Sequence, residues 1–248
     1  MKTLAYIPLH YGKEYLRYAI ESVYDSVDQI LILYTQKPSY GHGTNIKNPD
    51  TSRELMDCVS GLNKVNWMNV NVNGEGKHRD LAIAYAKRNG YDIVLAVDAD
   101  EVWEPNTVDL AIKQAFDGKE RRYATNHKGW ITFYRSFNDI VTDGFEPIRL
   151  TNMNRGNNDQ GRVTENIIYH FGYANCERLQ AYKMAIHGHK DDIQRDWFTK
   201  KWLNFDRDKT EYMHPATDAY WIKSERFDKT VLPELLKKHP YYNLDKIV

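Results

Sequence analysis

The feature that most constrains the fold is an apolar run that ends in a group of acids. Residues 93–97 read IVLAV, and the next four positions include Asp98, Asp100 and Glu101. A run without polar alternation predicts a strand that is buried on both faces, as in a parallel sheet covered by helices. Carboxylates crowded at the end of such a strand repel one another and raise each other's pKa. The sequence therefore predicts that a positively charged group lies at this strand end.

The residues before and after this run alternate between strand and helix patterns. Strands are predicted where the residues are apolar or alternate, and helices where apolar residues recur three and four positions apart. The predicted strands are residues 3–9, 29–35, 65–72 and 93–97. The predicted helices are residues 14–24, 51–61, 78–90 and 104–116. This alternation predicts an α/β fold with a mostly parallel sheet flanked by helices.

The second half of the chain has a different pattern. Residues 120–170 contain short aromatic-rich strands and a loop rich in Asn and Gly, residues 174–204 read as helical, and the tail after residue 239 is irregular. The sequence shows neither an internal repeat nor a clear linker. We therefore expect a single domain over residues 1–248, made of a regular half (1–105) and an irregular, aromatic-rich half (106–248).

Composition excludes several classes of protein. Lys plus Arg and Asp plus Glu both number 34, so no bulk charge recruits nucleic acid or a membrane surface. The two cysteines, Cys58 and Cys176, argue against a disulfide scaffold and suit a reducing compartment. No apolar run approaches the roughly 18 residues of a membrane span, and the N-terminal apolar stretch is too short for a signal peptide. We expect a cytoplasmic protein without a membrane span.

The motif Asp98-Ala99-Asp100 is the first candidate site. In open α/β sheets, ligands bind outside the carboxyl ends of the strands, and this motif follows the predicted fourth strand. Paired carboxylate oxygens suit Mg²⁺ or Mn²⁺ that is also bound by substrate phosphates. The alternative is a strand end whose solvated acids cap the helix that begins near Pro105.

Two segments carry a resemblance to a known family. LAYIPLHYGKEYLRYAIESVYDSVDQILILYT and HRDLAIAYAKRNGYDIVLAVDADE together resemble the nucleotide-sugar half of GT-A glycosyltransferases, close to the family-2-like group, over about residues 3–105. The resemblance implies a GT-A (Rossmann-like) fold and transfer of a sugar from a nucleotide-sugar donor, most commonly a UDP-sugar, to an acceptor hydroxyl. It also implies that Asp98 and Asp100 bind the divalent cation that bridges the donor's diphosphate.

The same resemblance assigns further donor residues. Arg79 corresponds to an arginine on the nucleotide side, and Pro8, His10 and Tyr11 correspond to the wall around the base. Family-2 enzymes usually carry an acid just after the second strand that contacts the nucleoside. This chain departs from that pattern, because the corresponding stretch is ILYTQKPSYGHG, and the identity of the base is therefore open.

A second cluster of candidate residues lies late in the chain. GT-A enzymes often add a late histidine to the metal, and His170 fits that role because it follows the strand-like NIIY; imidazole favours Mn²⁺ over Mg²⁺. His187, His189 and Lys190 are predicted to neutralise the departing diphosphate. A core histidine at 170 and a polar helix end at 187–189 are the alternatives. A 2-His-carboxylate iron site from His187, His189 and Asp191 is a poor fit, because its spacing is loose and no suitable strand pattern surrounds it.

An inverting transfer also needs a carboxylate base. The candidates are Asp143, Glu146, Asp159 and Glu165, with Asp143 first because Gly144 permits a tight, exposed turn. A turn-capping aspartate is the alternative at that position. A retaining enzyme would need no such base.

The acceptor is predicted from aromatic residues. Candidates for stacking on a sugar or a nucleobase are Trp130, Phe133, Tyr134, Phe137 and Trp197, with an aromatic core as the alternative. Residues 195–207 interleave basic and aromatic residues, as surfaces for single-stranded or flipped bases do, although an amphipathic helix has the same pattern. The compact size is similar to that of small phage-type glycosyltransferases, some of which modify hydroxymethylated bases. The acceptor is therefore a glycan or a hydroxymethylated base in DNA.

Two competing functions belong to other classes. A nucleotidyltransferase shares the strand–helix opening but usually begins with a Gly-rich loop bearing Arg or Lys, which IPLHYGKEY matches poorly. A non-catalytic sugar- or nucleic-acid-binding protein would not be expected to keep a costly acid pair. The stretch NGEGKHRD lacks the spacing of a phosphate-binding loop, and we interpret it as a plain turn.

Overall fold

The computed structural model describes residues 1–40, 42–142, 144–156 and 159–248, which form two β-sheets and their covering helices. The strands are β1 (Thr3–Leu9), β2 (Gln29–Tyr34), β3 (Val65–Asn69), β4 (Ile93–Ala96), β5 (Glu101–Trp103), β6 (Arg122–Ala124), β7 (Trp130–Tyr134), β8 (Asp139–Val141), β9 (Ile148–Asn152), β10 (Gln160–Arg162), β11 (Ile168–Tyr173) and β12 (Ser224–Arg226). The α-helices are α1 (Lys13–Val23), α2 (Ser52–Cys58), α3 (Glu75–Asn89), α4 (Pro105–Asp117), α5 (Glu177–Ile186) and α6 (Glu234–Lys237).

The first sheet has seven strands in the order β10-β6-β9-β4-β1-β2-β3. Its centre is parallel: β1 pairs with β2 and β4, and β2 pairs with β3. Tyr6 lies opposite Leu31 on one side and Ala96 on the other. Strand β9 joins antiparallel to β4. The predicted mostly parallel α/β sheet is confirmed.

Both faces of this sheet are covered, as the apolar run of β4 predicts. Successive side chains of a strand point to opposite faces. Leu4 and Tyr6 pack in one cluster with Ala82 of α3, and Ala5 and Ile7 pack in another with α1 and α4. Burying a leucine or isoleucine side chain stabilises the fold by about 1.5–3 kcal/mol relative to leaving it exposed. The core therefore lies in two layers around β1 and β4.

Local signals in the sequence set several helix ends. Helix α2 begins with a capping box. The Thr51 side chain accepts a hydrogen bond from the Glu54 backbone N–H, and the Glu54 side chain accepts one from the Thr51 backbone N–H. Helix α3 ends at Gly90, which has a φ of 68° in the left-handed region that favours glycine. Pro105 lies in the first turn of α4, where its missing N–H has no helical partner to lose. These predicted boundaries are confirmed.

The second sheet has five strands in the order β12-β8-β7-β11-β5. Strand β5 begins at Glu101, directly after the acidic motif, and pairs antiparallel with β11 so that His170 lies opposite Glu101. The sequence did not predict β5, because three residues are too few to show a period. This short strand is what brings the aromatic half of the chain against the end of β4.

The region 174–204 is less helical than its pattern predicts. Helix α5 ends at Ile186, a single 3₁₀ turn follows at Lys190–Asp192, and a π-helix covers Phe198–Leu203. Asp196, just before the π-helix, has a φ of 61°, which a continuous right-handed helix does not permit. The irregular course folds this region back over the end of β4.

No helix in the part of the chain that the structure describes has the length and apolarity of a membrane span.

Candidate functional site at the carboxyl end of β4

The candidate site lies where the sheet order changes direction. The chain runs from β1 outward through β2 and β3 and then returns to β4 on the other side of β1. Such a switch point opens a crevice between the carboxyl ends of the two central strands, and ligands of α/β sheets bind there. The loop after β1 and the acidic motif after β4 therefore meet at one place.

The loop after β1 is fixed by a buried aspartate. Asp50 accepts from the backbone N–H groups of Gly12 at 2.6 Å and Lys13 at 3.0 Å. Gly12 has a φ of 111°, and a Cβ on it would lie 3.3 Å from the Cβ of Ala99. The loop and the acidic motif are therefore in close contact, which explains the glycine at this position.

His10 is held in one orientation. Its Nδ1 lies 2.8 Å from the carbonyl oxygen of Thr35, to which it donates, and its Nε2 lies 2.7 Å from the Tyr182 hydroxyl. Burial lowers the pKa of His10, so the ring is neutral at neutral pH. His10 thereby links the ends of β1 and β2 to helix α5.

Each acid after β4 has a buried or largely buried cation beside it. Asp98 Oδ2 accepts from Arg149 at 2.8 Å, and the same guanidinium bonds the fully buried Glu101. Asp100 Oδ2 lies 3.0 Å from Lys183 Nζ. The predicted positive group at the strand end is therefore provided, in the chain itself, by Arg149 of β9 and Lys183 of α5.

The pKa shifts agree with this pairing. Burial alone would raise the pKa of Asp100, but Lys183 and then His170 outweigh it and lower that pKa to about 2. Burial also disfavours the charge of Arg149, yet Asp98 and Glu101 raise its pKa. Burial raises the pKa of Glu101. Asp100 and Arg149 are therefore charged over the whole physiological range.

Three cavities border this charged centre. The inner cavity, of about 250 Å³, lies between the β1 loop and the acidic motif. The outer cavity, of about 300 Å³, lies between the same loop and the segment after α5. The aromatic cavity, of about 480 Å³, lies on the other side, against the second sheet. Asp98 and Lys183 line all three, and His170 lines the inner and the aromatic cavities.

Most of the predicted donor residues come together here. The inner cavity is lined by Pro8, His10, Tyr11, Asp98, Ala99, Asp100 and His170. His187 and His189 line both the outer and the aromatic cavities. Lys190 is half-buried at the start of the 3₁₀ turn and lines none of these three cavities. Arg79 of α3 bonds the hydroxyl of Tyr6, which lies three residues before the end of β1.

The predicted bases are placed differently. Asp143 lies outside the described residues. Glu146 is engaged by Arg162 at 2.7 Å and by His127 at 3.2 Å, and Glu165 is exposed. Asp159 is also exposed. Neither Glu146 nor Glu165 lines the inner, outer or aromatic cavity.

The carboxylate pair suits a divalent cation only if the substrate supplies further ligands to the ion. In the part of the chain that the structure describes, no group of three His, Cys, Asp or Glu side chains is arranged to bind a metal. His170 contacts the Thr132 hydroxyl through Nδ1 at 3.4 Å and packs on the Trp130 ring at 5.0 Å. Asp98 and Asp100 remain the hard oxygen donors that Mg²⁺ or Mn²⁺ prefers when substrate phosphates complete the shell.

Most of the predicted stacking residues belong to the core. Trp197 and Trp202 are at most 1% exposed, and their indole N–H groups donate to the carbonyl oxygens of Met213 and Tyr173. Phe133, Tyr134 and Phe137 are also fully buried. The interpretation of 195–207 as a base-stacking surface is therefore wrong for its two tryptophans. Of the five predicted stacking residues, Trp130 lines the aromatic cavity, and the other four line none of the three cavities.

Sequence reasoning missed Arg149, Lys183, Asp50 and Tyr182. The one signal for Arg149 was a charged residue between the apolar residues Ile148 and Leu150 of β9. The other three lie on polar or helical segments where such residues are ordinary.

Neither the comparison with protein-family models nor that with curated proteins gave a match. Among solved structures, the chain is similar to S. aureus TarS, with a TM-score of 0.46 and 12% identity over 77% of this chain and 42% of that one. It is similar to TarS 1-349 with a TM-score of 0.45 and 11% identity, over 84% of this chain and 74% of that one.

A third similar structure is glucosyl-3-phosphoglycerate synthase from Mycobacterium tuberculosis, solved with Mn²⁺, UDP-glucose and phosphoglyceric acid. Its TM-score is 0.36 and its identity 17%, over 54% of this chain. The chain spans 44% of the length of that synthase.

Proposed function

We propose that the chain is a GT-A glycosyltransferase that moves a sugar from a nucleotide-sugar donor, with a UDP-sugar as the first choice, to a hydroxyl of an acceptor. The observation that carries this proposal is the meeting of three cavities at Asp98 and Lys183. A transferase must bring two ligands to the same few atoms, and positioning alone supplies a large part of such a rate enhancement. The family resemblance of residues 3–105 supports the same assignment.

The donor is assigned to the inner and outer cavities. Pro8, His10 and Tyr11 form their shared wall on the β1 side, and Tyr182 and Thr35 fix His10 in that wall. A rigid wall lowers the ordering cost of binding. The nucleotide is expected against this wall, with its diphosphate toward Asp98 and Asp100.

Asp98 and Asp100 are proposed to bind Mn²⁺ or Mg²⁺, with His170 beside them. When bound, the cation neutralises charge that develops on the departing diphosphate. Arg149 is a positioning residue in this scheme, because its guanidinium, which is only 7% exposed, fixes the Asp98 carboxylate by a hydrogen bond.

The late histidines are proposed to contact the diphosphate by hydrogen bonding rather than by charge. Burial and then the nearby Lys183 lower the pKa of His187 to about 4, so its ring is neutral at neutral pH. Its Nδ1 accepts from the backbone N–H of His189 at 3.1 Å, which leaves the proton on Nε2. The positive charge at this wall comes from Lys183.

The acceptor is assigned to the aromatic cavity. Trp130 and Trp221 line it, are each at most 6% exposed, and make no hydrogen bond from their indole N–H groups to the described residues. An apolar ring face on a cavity wall suits a sugar ring, because the C–H faces of a sugar pack on aromatic side chains. We therefore propose a glycan hydroxyl as the acceptor. A hydroxymethylated base in DNA has lost its main support, because the tryptophans of 195–207 are buried.

The structure adds Asp192 to the candidate bases. Three acids line the aromatic cavity, and two of them, Asp98 and Glu101, bond Arg149. The third, Asp192, is 68% exposed and lies 3.4 Å from His189. A carboxylate with access to the acceptor is what an inverting transfer requires. Asp192 joins Asp143, Glu146, Asp159 and Glu165 as a proposed base.

The test is release of free UDP from a panel of UDP-sugars with Mn²⁺, with simple glycans and hydroxymethylated DNA as acceptors. Replacing Asp100 by Asn should reduce UDP release by at least about 100-fold, the scale seen when one charge-stabilising group is lost from an active site. Asp117→Asn is the matched control, because Asp117 is 58% exposed and pairs with Lys113 outside the three cavities.

Each other result has a definite meaning. Pyrophosphate release from nucleoside triphosphates would identify a nucleotidyltransferase instead. Nucleotide-sugar binding without turnover under every acceptor would identify a binding protein. Full metal-dependent turnover in Asp100→Asn would refute the assigned site.

A further inference from the structure

Lys183 has an unusual position for a lysine. Its Nζ lies 3.0 Å from Asp100 Oδ2 and 3.0 Å from the carbonyl oxygen of Gly172. Its side chain is only 14% exposed, and it lines all three cavities of the site. An ammonium group has three N–H donors, and these two contacts use two of them. The third is available to a ligand at the junction of the cavities.

Packing fixes this amine closely. A Cβ on Gly172 would lie 2.8 Å from Lys183 Nζ and 2.4 Å from His170 Nε2, so glycine is needed where the two side chains meet. The Tyr173 ring lies 5.3 Å from the same Nζ and favours its positive charge. Lys183 therefore keeps favourable contacts even without Asp100.

The ion pair opposes the binding of a cation to Asp100. A divalent ion that takes Asp100 Oδ2 must displace the amine and then sit beside a second positive charge. A diphosphate has the opposite effect, because its negative oxygens attract both the ion and the amine. The same lysine is therefore expected to weaken binding of the metal alone and to strengthen binding of the nucleotide.

We propose that Lys183 is an exchangeable counter-ion of Asp100, which gives up this carboxylate to a divalent cation and then binds the diphosphate of the donor. This inference rests on the proposed function, since it assumes that a nucleoside diphosphate enters the site. It makes Lys183 responsible for the coupling between the two ligands. The metal alone binds weakly, and the metal together with the nucleotide binds tightly.

The experiment uses Lys183→Met, Lys183→Arg and wild-type protein. Mn²⁺ binding without nucleotide is followed by electron paramagnetic resonance of the free ion, and UDP binding in EDTA is followed by calorimetry. We expect Lys183→Met to bind Mn²⁺ about tenfold more tightly and UDP about tenfold more weakly, since one unit charge close to each ligand is removed. Lys183→Arg should remain close to wild type in both measurements.

Lys209→Met is the matched control. Lys209 pairs with Asp206 at 2.9 Å, but its side chain is 82% exposed and lines none of the three cavities. This variant should change neither affinity. Circular dichroism confirms that each variant is folded before its affinities are compared.

A measurement on wild-type protein covers the case in which Lys183→Met does not fold. Acetylation of Lys183 by an amine-reactive ester, measured by mass spectrometry, should rise when Mn²⁺ alone is added and fall when UDP is added. Lys183 labelling that responds to neither ligand would overturn the proposal, as would a folded Lys183→Met variant whose Mn²⁺ affinity is unchanged or weaker.

The two proposals fail in different ways. If wild-type protein with Mn²⁺ binds no nucleotide at all, the proposed function fails, whereas the Mn²⁺ comparison between wild type and Lys183→Met still tests the ion pair. If nucleotide binds with equal affinity to both proteins in EDTA, only the role of Lys183 fails.

Discussion

Replacing Arg149 by Met should destabilise the protein strongly and in a pH-dependent way. The Arg149 side chain is 7% exposed, and its partner Glu101 is fully buried, so the variant leaves a carboxylate in the core without its cation. Removing one partner of a buried pair costs about 3–5 kcal/mol of unfolding free energy. Urea denaturation at neutral pH, analysed by linear extrapolation, measures this loss directly.

The pH dependence follows from the raised pKa of Glu101. Burial raises that pKa above its ordinary value of 4.5. The contribution of the protonated group to the free energy of unfolding is therefore fully present below pH 4.5, and it is lost as the pH rises through the folded-state pKa. Without Arg149 the folded-state pKa rises further, and the deficit of the variant is largest at neutral pH. Below pH 4.5 the carboxyl is protonated in the folded and the unfolded chain, and the deficit should shrink.

Two comparisons isolate the buried pair. The double variant Glu101→Gln/Arg149→Met should regain about 2 kcal/mol relative to Arg149→Met, because the unpaired charge is gone. Arg162→Met, which breaks the exposed pair with Glu146, should cost no more than about 1 kcal/mol. A loss below about 1 kcal/mol for Arg149→Met at neutral pH, or a loss that does not change with pH, would refute the reasoning.

Three further predictions concern the acceptor side and the core. Phe145→Ala should raise the KM for acceptor and leave the KM for donor unchanged, because Phe145 is 52% exposed, lines the aromatic cavity and contacts Trp130 edge-on; an equal change in both KM values would count against the cavity assignment. Asp192→Asn should lower kcat by about 100-fold or more with little change in donor KM if the transfer is inverting, whereas an unchanged kcat would remove Asp192 as the base. Burial lowers the pKa of His239 to about 4 from 6.5, so wild-type stability should fall as pH drops from 6.5 to about 4, and His239→Gln should flatten this part of a urea-denaturation pH profile; an identical profile would contradict the assignment.

The two cationic side chains of the site, Arg149 and Lys183, have different proposed roles. Arg149 is only 7% exposed, although it lines the aromatic cavity, and it bonds two acids, of which Glu101 is fully buried. Lys183 lies at the junction of the cavities, bonds one acid and keeps a donor for a ligand. Arg149 is held by a fully buried carboxylate and therefore fixes geometry, whereas Lys183 bonds Asp100 and a backbone carbonyl at the junction of the three cavities and can exchange the carboxylate for a ligand.

The sequence by itself determined the order of strands and helices from β1 to β4 and the position of the acidic motif. Apolar runs and helical periodicity are local patterns, and Thr51, Gly90 and Pro105 mark helix ends through contacts within a few residues. The fixed geometry of parallel sheets then places Asp98 and Asp100 in the crevice at their carboxyl ends.

Only the tertiary structure decided what surrounds that motif. Arg149 lies 51 residues from Asp98, and Lys183 lies 83 residues from Asp100, so no local pattern connects these pairs. The burial of aromatic rings could not be predicted from the sequence either, because Trp197 has the same neighbours in sequence whether its ring faces a ligand or the core. Local sequence sets backbone conformation, but the partner of a charge and the exposure of a ring depend on which distant segments pack together.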